Sequence, residues 1–188
     1  MYIFKTMVYG GIIMEELIDV LDENGNKTGE IVTRKQVHEK GLCHRVIVVA
    51  IIDKNGHLLM QQRTKNKELN PGKWDVSVAG HISSGQNSIE AAIREVSEEL
   101  GVEVYANELK YILTYKKIRK IKENYIDNQI YDCYIINKEK IKIEDIKIQE
   151  SEVEQVKLCN LDEVKELILN EKVLKREELY NELIKYLK

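Results

Sequence analysis

The sequence predicts an α/β fold, a layered sandwich of mixed strands and helices, on three observations. The run "HRVIVVAIID" (residues 44–53) is a continuous β-branched stretch, the pattern of a strand buried on both faces. From Asn87 the apolar period becomes helical, with Ile89, Ala92, Ile93, Val96 and Leu100 on one stripe. Helical patterns close the chain over 161–169 and 174–187, after further strands. Strands, one central helix, more strands and terminal helices together suggest an α/β sandwich.

Each element follows from local chemistry. "ELIDVLD" and "GEIVTR" flank "ENGNKT", whose Asn-Gly pair is a strong hairpin signal. After the 44–53 strand, "KNG" turns the chain into the strand "HLLMQQR". The loop "TKNKELNPG" then leads to the strand "KWDVSVAG". Asn87 is placed to cap the central helix, Glu90 completes a capping box three residues on, and Gly101 terminates it. "VEVYA", "LKYILTYKKI" and "NQIYDCYIIN" read as the later strands, followed by the polar loop "KIQESEVEQ". Basic "YKKIRKIK" alternates Lys with Ile in the way an exposed edge strand protects its edge, and Trp74 reads as a core residue.

The 188 residues suffice for one domain with a substantial core. With 43% hydrophobic and 32% charged residues and a net charge of −3, nothing calls for nucleic acid or an anionic membrane. Cys43, Cys133 and Cys159 are odd in number and lack a CxxC, as expected of free thiols in a reducing cytoplasm. "MYIFKTMVYGGIIM" is too short and too interrupted to span a bilayer and has no small-residue cleavage site. Because "MEELIDVLD" reads as a natural start, residues 1–13 are expected to be an extension and residues 14–188 a single domain that includes the C-terminal helices.

The segment "REVSEELG" sets Glu95, Glu98 and Glu99 within five positions, on neighbouring turns of one helix. Like charges at i, i+3 and i+4 weaken a helix by roughly 0.2–0.5 kcal/mol per pair. A solvated acidic face is the ordinary explanation. A divalent cation seated among the carboxylates is the functional one, since magnesium and manganese prefer hard oxygen ligands. The stripe leaves these glutamates at its margin, near the core edge but within reach of water.

"GHISSGQNSIEAAIREVSEELGV", Gly80 to Val102, resembles the Nudix box, G-x5-E-x7-R-E-U-x-E-E-x-G-U with U aliphatic. Gly80, Arg94, Glu95, Val96, Glu98, Glu99, Gly101 and Val102 match, and Gln86 replaces the first glutamate. The resemblance implies a Nudix-type α/β/α sandwich with a mixed sheet and a central catalytic helix. It implies metal binding by Glu95, Glu98, Glu99 and the backbone carbonyl of Ala79, with Mg2+ or Mn2+ as the ion and Arg94 orienting Glu95. Gly80 and Gly85 would bring the backbone close to phosphate, and the reaction would be hydrolysis of a diphosphate linkage in a nucleoside diphosphate derivative or another organic diphosphate. A general base is expected from "IQESEVEQV", where Glu150, Glu152 and Glu154 are candidates and Glu152 is taken as the base; Glu99 is another candidate. Gln86 cannot carry charge, which implies a slower or differently metal-dependent enzyme, or alternatively a non-catalytic sensor of a nucleotide or metabolite.

"HEKGLCHRVIVVAIIDKNGHLLMQQRTKNKELNPGKWDVSVAGH" is further similar to the isopentenyl-diphosphate isomerase branch of that family. By that similarity Arg63 and Lys67 would bind the substrate diphosphate, with Gly80 and His81 beside it, and His38, His44 and His81 fall near the positions of a separate metal site. The isomerase cysteine is replaced by Ala79, and Asp127 and Gln129 stand where its later glutamates fall, so isomerisation by that route is not expected. The three histidines are then expected to line the substrate cleft or its rim. The expected partner is a small diphosphate, with no nucleic acid or membrane, and the chain is expected to be cytoplasmic and a homodimer.

Overall fold

The computed structural model describes residues 15–188 and, before them, the backbone pairing of β1 (Val8–Tyr9) with β2 (Ile12–Ile13). The expected extension at 1–13 otherwise lies outside the described residues. There follow β3 (Leu17–Leu21), β4 (Lys27–Thr33), α1 (Arg34–Glu39), β5 (His44–Asp53), β6 (Leu58–Arg63), β7 (Trp74–Asp75), β8 (Val78–His81) and α2 (Ser88–Leu100). The chain continues through β9 (Lys110–Lys122), β10 (Tyr125–Lys138), β11 (Val153–Cys159), α3 (Leu161–Leu169) and α4 (Glu177–Leu183). The fold is α/β with a mixed sheet, as the sequence predicts.

The central sheet runs β11-β6-β5-β10-β9, with β7 added to β6 and β8 to β5. All pairings are antiparallel except β5 with β10. β5 is buried almost end to end, and its side chains alternate between two cores. Val46, Val48, Ala50 and Ile52 face one cluster with Val164 of α3 and Leu179 and Leu183 of α4. Ile47, Val49 and Ile51 face the other, with Ala92, Val96 and Leu100 of α2. Burial of Val96 and Leu100 contributes about 1.5–3 kcal/mol each to holding α2 against the sheet.

"KWDVSVAG" is two strands rather than one. β7 pairs with β6 and β8 with β5. Ser77 bridges the change of partner, since its hydroxyl accepts from Ile51 N at 2.8 Å and donates to Leu59 O at 2.5 Å. "VEVYA" forms no strand. The final helical pattern is regular only over Glu177–Leu183. α1 was not anticipated; Thr33 caps it, with Gln36 completing the box. The basic strand β9 does form the sheet edge.

Trp74 is half-buried and packs against the first core. All three cysteines are buried and unbridged, and burial pushes the Cys133 thiol up to about 12 and that of Cys159 to about 11. Among the described residues no helix is long and apolar enough to cross a membrane.

Candidate active site

Local chemistry sets α2 firmly. The Asn87 side chain accepts from Glu90 N, and Glu90 Oε2 accepts from Asn87 N, both at 3.0 Å. Gly101 ends the helix in the left-handed region at φ 64°, which glycine adopts without a Cβ clash. The expected stripe is buried at Ala92, Val96 and Leu100 and packs on the core at Ile93. Ile89 is exposed, whereas Glu95 and Glu99 are buried alongside Ala91, Ala92, Val96 and Leu100. The expectation that the glutamates sit at a wet margin therefore fails for two of the three, while Glu98 remains half-buried.

Partners hold the acidic groups there. Arg94 Nη1 donates to Glu95 Oε1 at 2.9 Å and to Glu98 Oε2 at 3.1 Å. Its Nη2 donates to His81 O at 3.0 Å and its Nε to Gln86 Oε1 at 3.3 Å. Burial alone would lower the Arg94 pKa, but the Glu95 and Glu98 carboxylates outweigh it and raise it above the ordinary value. Glu99 Oε2 accepts from Gln61 Nε2 of β6 at 2.9 Å. Glu95 lies against the backbone of Gly80 so closely that a Cβ there would stand 2.1 Å from Glu95 Cδ. Three carboxylates on adjacent turns, with one seated where a side chain at residue 80 would be, form a donor set that fits a hard divalent cation.

Beside α2 lies a polar cleft of about 120 Å³ whose walls include Ala79, Gly80, His81, Glu99 and Glu152. Arg34, Arg63, Lys67 and Arg119 supply its cationic side. Arg63 donates through Nε and Nη2 to Leu69 O, which fixes the loop that carries Lys67. Lys67 forms an ion pair with Glu152. The structure thus brings Arg63, Lys67, Gly80, His81, Glu99 and Glu152 to one cleft. Glu150 and Glu154 are not among its walls.

All three histidines are buried; His38 and His81 line the cleft, as the sequence suggests, whereas His44 is not among its walls. Donor nitrogens of His38, His44 and His81 all lie within 4.8 Å of one another. His38 Nε2 and His81 Nε2 are 3.0 Å apart. His38 Nδ1 faces Asp127 Oδ1 at 3.2 Å, and His44 Nδ1 faces Leu42 O at 3.0 Å. Gln129 Nε2 reaches His44 Nε2 at 3.1 Å. Burial pushes the His44 pKa down to about 4, so its ring is neutral at pH 7. Burial would raise the Asp127 carboxyl, but a hydrogen bond to His38 and the charge of Arg119 hold it below the ordinary range. The parallel register that sets Gln129 opposite His44 joins these groups, and no spacing within the sequence reveals it.

Residues 42–182 match the NUDIX domain family. A Clostridium acetobutylicum protein described as an uncharacterised Nudix hydrolase is 36% identical over 159 residues, covering 83% of this chain and 75% of that one. Nudix hydrolase 3 of Arabidopsis thaliana is 35% identical over 160 residues, 84% of this chain, although the match spans only 21% of the plant protein. An isopentenyl-diphosphate Delta-isomerase of Serratia proteamaculans is 30% identical over 122 residues, 65% of this chain and 66% of the relative. The crystal structure of DR0079 from Deinococcus radiodurans shares the fold with a TM-score of 0.66, at 20% identity over 92% of this chain and 100% of that one. With its box intact at eight positions and Glu95 of α2 seated against Gly80 of β8, the chain belongs to the Nudix hydrolase family.

Proposed function

We propose that the chain is a magnesium-dependent hydrolase, with manganese as a substitute ion, that cleaves a diphosphate linkage in a nucleoside diphosphate derivative or another organic diphosphate. One observation carries the reading: Glu99 and Glu152 line one cleft with Arg34, Arg63, Lys67 and Arg119, and Glu95 lies directly against Gly80 in its wall. Glu95, Glu98 and Glu99, with the Ala79 carbonyl, would hold the ion, which when bound neutralises phosphate oxygens and lowers the pKa of water.

The chain's own groups do the rest. Arg94 keeps Glu95 and Glu98 in place, a positioning task. Arg63 and Lys67 bind phosphate oxygens, for which guanidinium and ammonium groups are suited. A phosphate on Lys67 competes with Glu152 for the ammonium and frees that carboxylate to take a proton from the attacking water. Ala79 stands in the cleft without a proton to give, which argues against alkene isomerisation. His38, His44 and His81 form a second metal site suited to a transition metal, with Asp127 and the Leu42 carbonyl orienting two of the rings.

The test is phosphate-bond hydrolysis over mononucleotides, dinucleotides, sugar nucleotides and alkyl diphosphates with magnesium. Hydrolysis is expected, lost on chelation and at least about 100-fold slower in Glu98→Gln. Ligand binding without cleavage of any compound would favour the sensor, and unchanged turnover in the variant would overturn the metal assignment.

A further inference from the structure

A second cavity, of about 750 Å³, lies between α3, α4, the intervening segment and β9. Its size is toward the top of the range for pockets that take drug-sized ligands. Ile121, Ile168, Leu169, Val173, Leu174 and Ile184 line it, whereas the catalytic cleft is polar. The two are neighbours, because Asn70, Arg119, Leu174 and Arg176 line both. Leu169 is 82% exposed and Ile121 38% exposed, so large aliphatic side chains are left uncovered around the larger cavity.

The junction is cationic. Arg119 Nη2 donates to Asp127 Oδ2 at 3.2 Å and to Tyr131 OH at 3.0 Å, while its buried Nε finds no acceptor. A buried donor without an acceptor is costly and suits a ligand oxygen. Lys73, Lys165 and Lys175 add positive charge along the wall. The sole aromatic residue of the lining, Tyr180, is buried, so no open ring face is offered to a nucleobase.

We propose that this cavity is the subsite for the organic group of the substrate, and that this group is a long aliphatic chain, not a nucleoside. The inference rests on the diphosphate reading above. The diphosphate would lie in the polar cleft, with its ester oxygen passing Arg119 and the chain entering between the C-terminal helices. In the reaction a water oxygen bonds to the terminal phosphorus and the bond from that phosphorus to the bridging oxygen breaks. The bridging oxygen stays with the alkyl monophosphate, inorganic phosphate leaves, and one proton passes to solvent.

Titration calorimetry with the magnesium-loaded full chain tests it, using non-hydrolysable methylenebisphosphonate monoesters of ethyl, hexyl and decyl alcohols and of a ribonucleoside. Each added methylene is expected to tighten binding about two- to fourfold, and the decyl ester to bind more tightly than the nucleoside ester. Leu169→Asp, at an exposed position and with its fold checked by circular dichroism, is expected to weaken the decyl ester at least about tenfold and leave unsubstituted methylenebisphosphonate within twofold. Leu169→Ala is expected to give an intermediate loss. Equal affinity for ethyl and decyl esters, tighter binding of the nucleoside ester, or no binding of any ester would overturn the subsite. Chain-length-dependent binding without turnover of the parent diphosphates would keep the subsite and defeat the hydrolase; turnover without chain-length dependence would do the reverse.

Discussion

Gly80 and Glu95 occupy one space: a methyl group on the Gly80 Cα would stand 2.1 Å from the Glu95 carboxyl carbon, 2.3 Å from its Oε1 and 2.5 Å from its Cγ. The glycine is therefore required by a close approach. The buried Glu95 carboxylate has little room to retreat, because Arg94 holds it from one side and α2 is packed on the sheet. Gly80→Ala is expected to push Glu95 off its position and lower kcat/KM at least about 100-fold, the order of loss seen when metal-site geometry is disturbed. Thermal unfolding followed by circular dichroism should still show a cooperative transition. Wild-type kinetics in the alanine variant would disprove the coupling.

Gln86 tests the one departure from the box. Its amide oxygen accepts from Arg94 Nε at 3.3 Å, so a neutral group already occupies the position from which an acid would meet this guanidinium. Gln86→Glu places a charge there, in reach of Arg94 and beside the carboxylates proposed to bind the ion. A magnesium titration of activity is expected to reach half-maximum at a roughly three- to tenfold lower concentration, since one added favourable charge contact contributes about 1 kcal/mol at a partly exposed site. A half-maximum that stays put, or moves upward, would show that the amide limits nothing.

The histidine cluster makes a prediction independent of turnover. Nitrogens sharing a tetrahedral ion at about 2.0–2.1 Å stand roughly 3.3 Å apart, close to the 3.0 Å that separates His38 Nε2 from His81 Nε2. Metal-ligating histidines usually present their other nitrogen to a carboxylate or carbonyl. Asp127 does this for His38 and the Leu42 carbonyl for His44. After dialysis against zinc with excess magnesium to fill the carboxylate site, elemental analysis is expected to find one zinc ion per chain, and none in His38→Ala. Equal metal content in the two proteins would place the ion elsewhere.

How much of this was legible in sequence depends on whether the cause was local. Strand β5 was readable because both its faces are buried, and α2 because Asn87, Glu90 and Gly101 fix its ends within the chain itself. The burial of Glu95 and Glu99 was not, because it depends on Gly80 and Gln61 from other strands. The meeting of His38, His44, His81 and Asp127 was hidden for the same reason. It needs a six-residue helix and the parallel pairing of β5 with β10. The helix did leave a signal, the Thr33–Gln36 box.

The buried pair of Asp75 and Arg176 gives the last test, of the link between the C-terminal helices and the catalytic face. Arg176 Nε donates to Asp75 Oδ1 at 2.7 Å and Nη2 to Oδ2 at 2.8 Å, and the guanidinium lies 5.4 Å from the centre of the Tyr131 ring. Burial opposes the charge on Arg176, but Asp75 outweighs it and raises the arginine pKa well above its ordinary value. Removing one member of such a pair strands the other charge without a counter-ion, which costs about 3–5 kcal/mol. Asp75→Asn is therefore expected to lower the unfolding free energy in urea by about that amount. Asp75→Asn combined with Arg176→Met should recover part of it, because the double change leaves no buried charge alone. Equal stability of the single variant and the parent would mean that the pair is not buried in solution. A double variant destabilised by the full sum of the two single changes would show that Arg176 stabilises through its packing on Tyr131 rather than through Asp75.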